Sequence, residues 1–223
     1  MKPVEIKLSD YKLFGPGEPQ VIILQPAFSE AEDVMEPLPG ILQKLTGVSF
    51  LFCQFIVPHP DDLLTPWPAP GLSEKRPFGG KASETLEFIT GDLLPHIFGK
   101  IKLPLILGGY SLAGLFALWC AYQTDAFDAV VSVSPSLWYD KWIEYISHRR
   151  PLTRNIYLSL GIEEPKGRNR RLATVGENIR RQDILLDENA GLNHILEWNP
   201  GNHFTEPASR MVRGYEWTIK SLF

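Results

Sequence analysis

Short apolar runs alternate along this chain with segments of helical spacing, and that alternation limits the folds open to it. Val21-Ile22-Ile23-Leu24 is a compact apolar run ending at Gln25-Pro26, as a buried strand would. Ser49–Val57 (SFLFCQFIV), Leu103–Leu107, Ala129–Val133, Asn155–Leu160 and His194–Trp198 read the same way. Helical patterns fall between them: within Pro37–Thr46, then Ala82–Phe98, Leu112–Tyr122, Leu137–His148, Val175–Glu188 and, last, Ala208–Leu222. Strand and helix in turn predict an α/β protein with a mostly parallel sheet covered by helices on both faces. Such sheets place their chemistry in loops at the carboxyl ends of strands. With 223 residues, no internal repeat and no linker, residues 1–223 are expected to form a single domain.

Pro58–Gly80 breaks the alternation. Its prolines at 58, 60, 66, 68, 70 and 77 predict a long irregular loop, read as pocket wall or lid. Charge is unremarkable: the net of −4 gives no electrostatic reason for a nucleic-acid or membrane partner. The basic clusters Lys166–Arg171 and Arg180-Arg181 are flanked by acids and read as solvated surface. Cys53 and Cys120 each sit in an apolar run, as small buried side chains do. The N-terminus, MKPVEIKLSD, is too polar for a signal peptide, and no run approaches a membrane span. These features together predict a reducing, cytoplasmic setting.

The chemistry concentrates in Leu107-Gly-Gly-Tyr-Ser-Leu-Ala-Gly114. A serine at a tight strand-to-helix junction, with small residues two before and two after, is the pattern of a nucleophile elbow. The turn strains the serine backbone, exposes Ser111 Oγ and aims the next helix's N-terminus at it, so the Leu112 N–H becomes an oxyanion donor. One competing reading is a glycine-rich nucleotide-binding turn, but it requires a G-x-G-x-x-G string or a P-loop lysine, and neither occurs here; another is a purely structural turn whose serine is exposed by accident.

A serine hydroxyl needs a base. Of the histidines, His203 lies in Asn199-Pro-Gly-Asn-His-Phe204, after the last strand and before the last helix, where this architecture carries its base; His59 is the reserve. The orienting acid is sought after the strand before that one, where Asn155–Leu160 runs into Gly161-Ile162-Glu163-Glu164. Neighbours on an extended segment point opposite ways, so only one of Glu163 and Glu164 serves. Glu164 is preferred, with Glu163 the alternative and Asp140 a weaker rival. The second oxyanion donor falls to Ala27 or Phe28, because Pro26 has no N–H. Trp67, Trp138 and Tyr110 are candidate pocket walls, with Phe78 and Tyr139 nearby in sequence.

GGYSLAGL around Ser111, LSLGIEE around Glu164 and NPGNHF around His203 together resemble an esterase family that includes esterase D and the enterochelin and ferric-siderophore esterases. The resemblance follows most of the chain in order and spacing. It implies an α/β-hydrolase fold, a Ser-Glu-His triad, and cleavage of a small-molecule ester without metal or organic cofactor. In that family the acid often lies three residues past the strand-end glycine, which matches Glu164. The chain departs from the pattern at Gln25-Pro26 and at Ala113, and the extra N-terminal domain that siderophore esterases often carry is not expected here. The expected function is therefore serine esterase, with other acyl hydrolysis (thioester, peptide or carbohydrate ester) and a non-catalytic binding protein on the same fold as alternatives.

Overall fold

The computed structural model describes residues 11–15, 18–28, 38–73, 76–99 and 102–223. The main sheet is built from β1 (Tyr11–Phe14), β2 (Val21–Ala27), β3 (Phe50–Ile56), β6 (Leu105–Tyr110), β7 (Ala129–Val133), β8 (Asn155–Gly161) and β9 (Asn193–Asn199). Their order is β1-β3-β2-β6-β7-β8-β9. Every pairing is parallel except that of β1, which runs antiparallel to β3 with Tyr11 opposite Phe55.

Strand alternation divides the core into two layers, since successive side chains point to opposite faces. Val21 and Ile23, Phe50 and Phe52, and Ala129 and Val131 share one cluster with Met211 and Tyr215. That face is covered by α1 (Leu38–Thr46) and α9 (Pro207–Leu222), which pack on each other. The intervening residues, Ile22, Leu24, Cys53, Phe55 and Val130, face the opposite way. There they meet α5 (Leu112–Cys120), whose residues are all buried, and α8 (Val175–Asp187). A sheet with helices on both faces is the architecture that the alternating pattern predicts.

Local departures have local causes. β2 runs on through Pro26, which lies past the stretch Ile22–Leu24 paired with β6, so the proline interrupts no ladder on that side. β6 continues through Gly108 and Gly109 because a side chain has no room there: a Cβ on Gly108 would sit 1.9 Å from the Tyr215 hydroxyl. The helix expected over Ala82–Phe98 is α3 (Ala82–Phe88), a π turn (Ile89–Leu93) and α4 (Leu94–Phe98). Pro95 lacks an N–H and crowds the carbonyl four residues back, which the wider π turn accommodates.

Two expectations need correction. The proline-rich stretch is not wholly irregular: it holds α2 (Pro60–Leu63) and a two-stranded pairing of β4 (Pro68–Ala69) with β5 (Phe78–Gly79). Pro60 stands at the start of α2, where its missing N–H costs nothing. The helix expected over Leu137–His148 shrinks to α6 (Trp142–Ile146), because Lys141 turns left-handed at φ 61° just before it. A short α7 (Arg170–Ala173) precedes α8. No helix among the described residues is long and apolar enough to cross a membrane.

Candidate active site

Ser111 joins β6 to α5 with φ 59° and ψ −117°, a region that non-glycine residues enter only when their surroundings force them. Its N–H donates to the Val133 carbonyl at 3.0 Å and its carbonyl accepts the Ser136 N–H at 3.0 Å, so both flanking peptides are held. The small neighbours are required for close approach. A Cβ on Gly109 would lie 2.1 Å from the Ala113 carbonyl oxygen, and one on Gly114 would lie 3.0 Å from the Val133 oxygen. Leu112 opens α5, so its N–H is among the donors that the helix itself leaves unpaired.

His203 sits in the turn between β9 and α9. Asn202 shapes that turn, its side-chain oxygen accepting the Phe204 N–H at 2.9 Å and its carbonyl the Thr205 N–H at 3.1 Å. His203 Nε2 lies 3.0 Å from Ser111 Oγ, and Nδ1 lies 2.8 Å from Glu164 Oε2. A carboxylate can only accept, so Nδ1 carries the proton and Nε2 is left to accept from the serine hydroxyl. The ring of Tyr110 packs against the imidazole at 5.1 Å between centroids.

The Glu164 side chain is 5% exposed. Its Oε1 accepts three hydrogen bonds: from the Gly161 N–H at 2.7 Å, the Ser134 hydroxyl at 2.7 Å and Arg210 Nη1 at 3.2 Å. Burial pushes this carboxyl up, but the bond and charge of His203, the Gly161 N–H and the Ser134 hydroxyl outweigh it and hold Glu164 below its ordinary value. Tyr110 moves the other way, to about 12, because it is buried and faces the Glu164 charge, with Arg210 opposing in part.

The residues expected from sequence separate into those that meet and those that do not. Ser111, His203 and Glu164 are joined in one hydrogen-bonded chain. Glu163 lines the same cavity without bonding the histidine, and Asp140 is exposed, its carbonyl accepting the Trp67 indole N–H. That cavity encloses about 500 Å3, with Trp138, Leu172, Phe204 and Leu72 as its apolar wall. Trp138 lines the cavity that holds Ser111. Trp67 does not; it packs against Tyr139, Trp142 and Tyr145 instead. Ala27 closes β2, and Phe28 after it lines a second cavity, of about 930 Å3, that also has His59 in its wall and shares no lining residue with the first. Arg171 is more than solvated surface, since it donates to the Gly71 carbonyl at 2.8 Å and lies over the Trp138 ring.

Sequence reasoning missed Ser134 and Arg210. Arg210 left a signal: it shares the buried face of α9 with Met211, Gly214 and Tyr215, where a charge demands a partner. Among the described residues no cluster of three or more His, Cys, Asp and Glu side chains is placed to hold a metal ion.

The strained serine on its elbow, with histidine and acid delivered by later strand ends, can be compared with known proteins. The family model described as "Putative esterase" matches residues 56–206. The chain belongs to this esterase family. As an esterase-family member it is a hydrolase, and its solved structural relatives share the α/β-hydrolase fold. An IroE-like serine hydrolase from Shewanella oneidensis superposes with a TM-score of 0.79 at 17% identity, covering 96% of this chain and 76% of that one. The siderophore hydrolase EstA from Aspergillus nidulans gives a TM-score of 0.69 at 19% identity, over 92% and 84%. The BES protein from Bacillus cereus gives 0.66 at 17%, over 97% of both chains. A search of curated proteins finds no match to this esterase.

Proposed function

We propose that this esterase cleaves small carboxylic esters through an acyl-enzyme on Ser111, with His203 as base and Glu164 as its orienting acid. The supporting observation is the chain Ser111 Oγ, His203 Nε2, His203 Nδ1, Glu164 Oε2, with spacings of 3.0 and 2.8 Å across its two hydrogen bonds. Ser111 Oγ attacks the ester carbonyl while His203 Nε2 takes its proton. The negative charge that builds on the carbonyl oxygen is met by the Leu112 N–H and by an N–H from Ala27 or Phe28. Collapse breaks the bond to the alkoxide, which leaves as the alcohol with the proton from His203. Water then repeats the sequence and frees the acid and Ser111. Glu164 stays ionised throughout and stabilises the imidazolium.

The apolar wall over Ser111 suits an ester with an apolar or aromatic portion. Siderophore esters belong in the substrate panel because one compared structure is named a siderophore hydrolase. Cys53 and Cys120, both buried and unbridged, fit a reducing cytoplasmic setting. The test is turnover of a p-nitrophenyl ester beside Ser111→Ala. Wild type is expected to hydrolyse it and the variant to lose at least about 1000-fold in kcat; equal rates would remove Ser111 from the mechanism.

A further inference from the structure

Arg210 is the most deeply buried charge near Ser111 and does not touch the space where substrate would sit. Its side chain is 1% exposed. Nη1 donates to Ser134 Oγ at 3.1 Å and to Glu164 Oε1 at 3.2 Å. Nη2 donates to the carbonyls of Pro200 at 2.8 Å and Asn202 at 3.0 Å. One side of a rigid plane thus holds the acid, while the other holds the two residues bracketing the turn that ends in His203.

We propose that Arg210 is a positioning residue that sets the distance between the acid-bearing loop after β8 and the base-bearing loop after β9. This rests on the reading of Ser111, His203 and Glu164 given above. Two features carry it. With Gly161, Ser134 and Arg210 all bonded to Oε1, that oxygen is saturated and Oε2 is the one left to His203, which fixes the carboxylate's rotation. Asn202 directly precedes His203, so a donor on its carbonyl anchors the imidazole in a segment that belongs to no helix or strand. Packing alone gives no reason for an arginine here, because an apolar side chain of similar volume fills such a site without desolvating a charge. The planar fork is what bridges two loops at once, and lysine, a point donor, cannot do so.

The test compares Arg210→Lys and Arg210→Met with wild type for kcat and KM on a p-nitrophenyl ester and for thermal midpoint, using the full chain. Arg210→Met is expected to lose about 100-fold in kcat with KM within about threefold, because a shift of about 1 Å at the reacting atoms has that effect. Arg210→Lys keeps the charge but reaches one loop, and is expected to recover part of the loss while staying about tenfold below wild type. If the methionine variant fails to fold, the lysine variant decides. Wild-type kcat in Arg210→Lys would overturn the assignment, as would a loss that falls on KM. A lysine variant that does not fold would also overturn it, by assigning Arg210 to the fold rather than to the site's geometry. The Ser111→Ala control separates the two levels: if it stays active the triad reading fails, and if it is inactive while Arg210→Lys has full activity only the positioning role fails.

Discussion

Glu163 and Glu164 are adjacent and chemically alike, yet only Glu164 reaches His203. β8 ends at Gly161, and Glu164 begins a single 3-10 turn that brings its carboxylate back onto the Gly161 N–H. Glu163 stays exposed. Glu164→Gln would present an amide that can donate to Nδ1, moving the imidazole proton to Nε2, where it can no longer accept from Ser111. The expected outcome is a fall in kcat of about 1000-fold or more, against a change within about threefold for Glu163→Gln; ester turnover by the two variants checks it. Sequence alternation can say that one of the two serves but not which, because the deciding fact is the 3-10 turn. In the sequence, only the resemblance to an esterase family favours Glu164 over Glu163. Arg210 is harder to see: its partners come from the loops after β7, β8 and β9, and no local pattern in α9 names them.

At the scale of elements, the proline-rich stretch shows where local reading stops. Its prolines exclude a long helix or strand, but what orders it is contact with residues far along the chain. The Trp67 ring lies 4.9 Å from Tyr145 and stacks at 6.4 Å on Trp142, and its indole N–H donates to Asp140. The Tyr139 hydroxyl donates in return to the Trp67 carbonyl. Trp67 thus fastens the stretch to α6, whereas Trp138 faces the cavity over Ser111. Trp67→Ala is expected to lower unfolding free energy by about 3 kcal/mol with KM nearly unchanged. Trp138→Ala is expected to raise KM severalfold with a smaller loss of stability. Urea unfolding and Michaelis kinetics on both variants check the contrast, and a reversed pattern would exchange their roles. The elbow itself is legible because its constraint is steric and local: Gly109 has no room for a side chain where strand and helix touch, and Gly114 has little.

For the whole molecule, the alternation of strands and helices forecasts the parallel sheet, since the central strands β2, β6, β7 and β8 are buried on both faces and their apolar composition says so. β1 was not forecast, being a four-residue edge strand with two exposed positions. The same architecture buries the Glu164 carboxylate, and this couples stability to pH. Its native value lies below the ordinary one, so the unfolded chain takes up that proton first as pH falls. The stabilisation is complete above the ordinary glutamate value of about 4.3 and is lost as pH drops through the lower native value. Wild type should therefore exceed Glu164→Gln in urea midpoint at about pH 6, and the gap should narrow toward about pH 3. A gap independent of pH would contradict this. The most direct test of Ser111 as nucleophile is peptide-level mass spectrometry after treatment of the folded protein with a fluorophosphonate. The expected result is one phosphonyl adduct on Ser111, absent from Ser111→Ala and formed far more slowly in His203→Gln. An adduct on a different residue, or none on a protein that still hydrolyses esters, would contradict it.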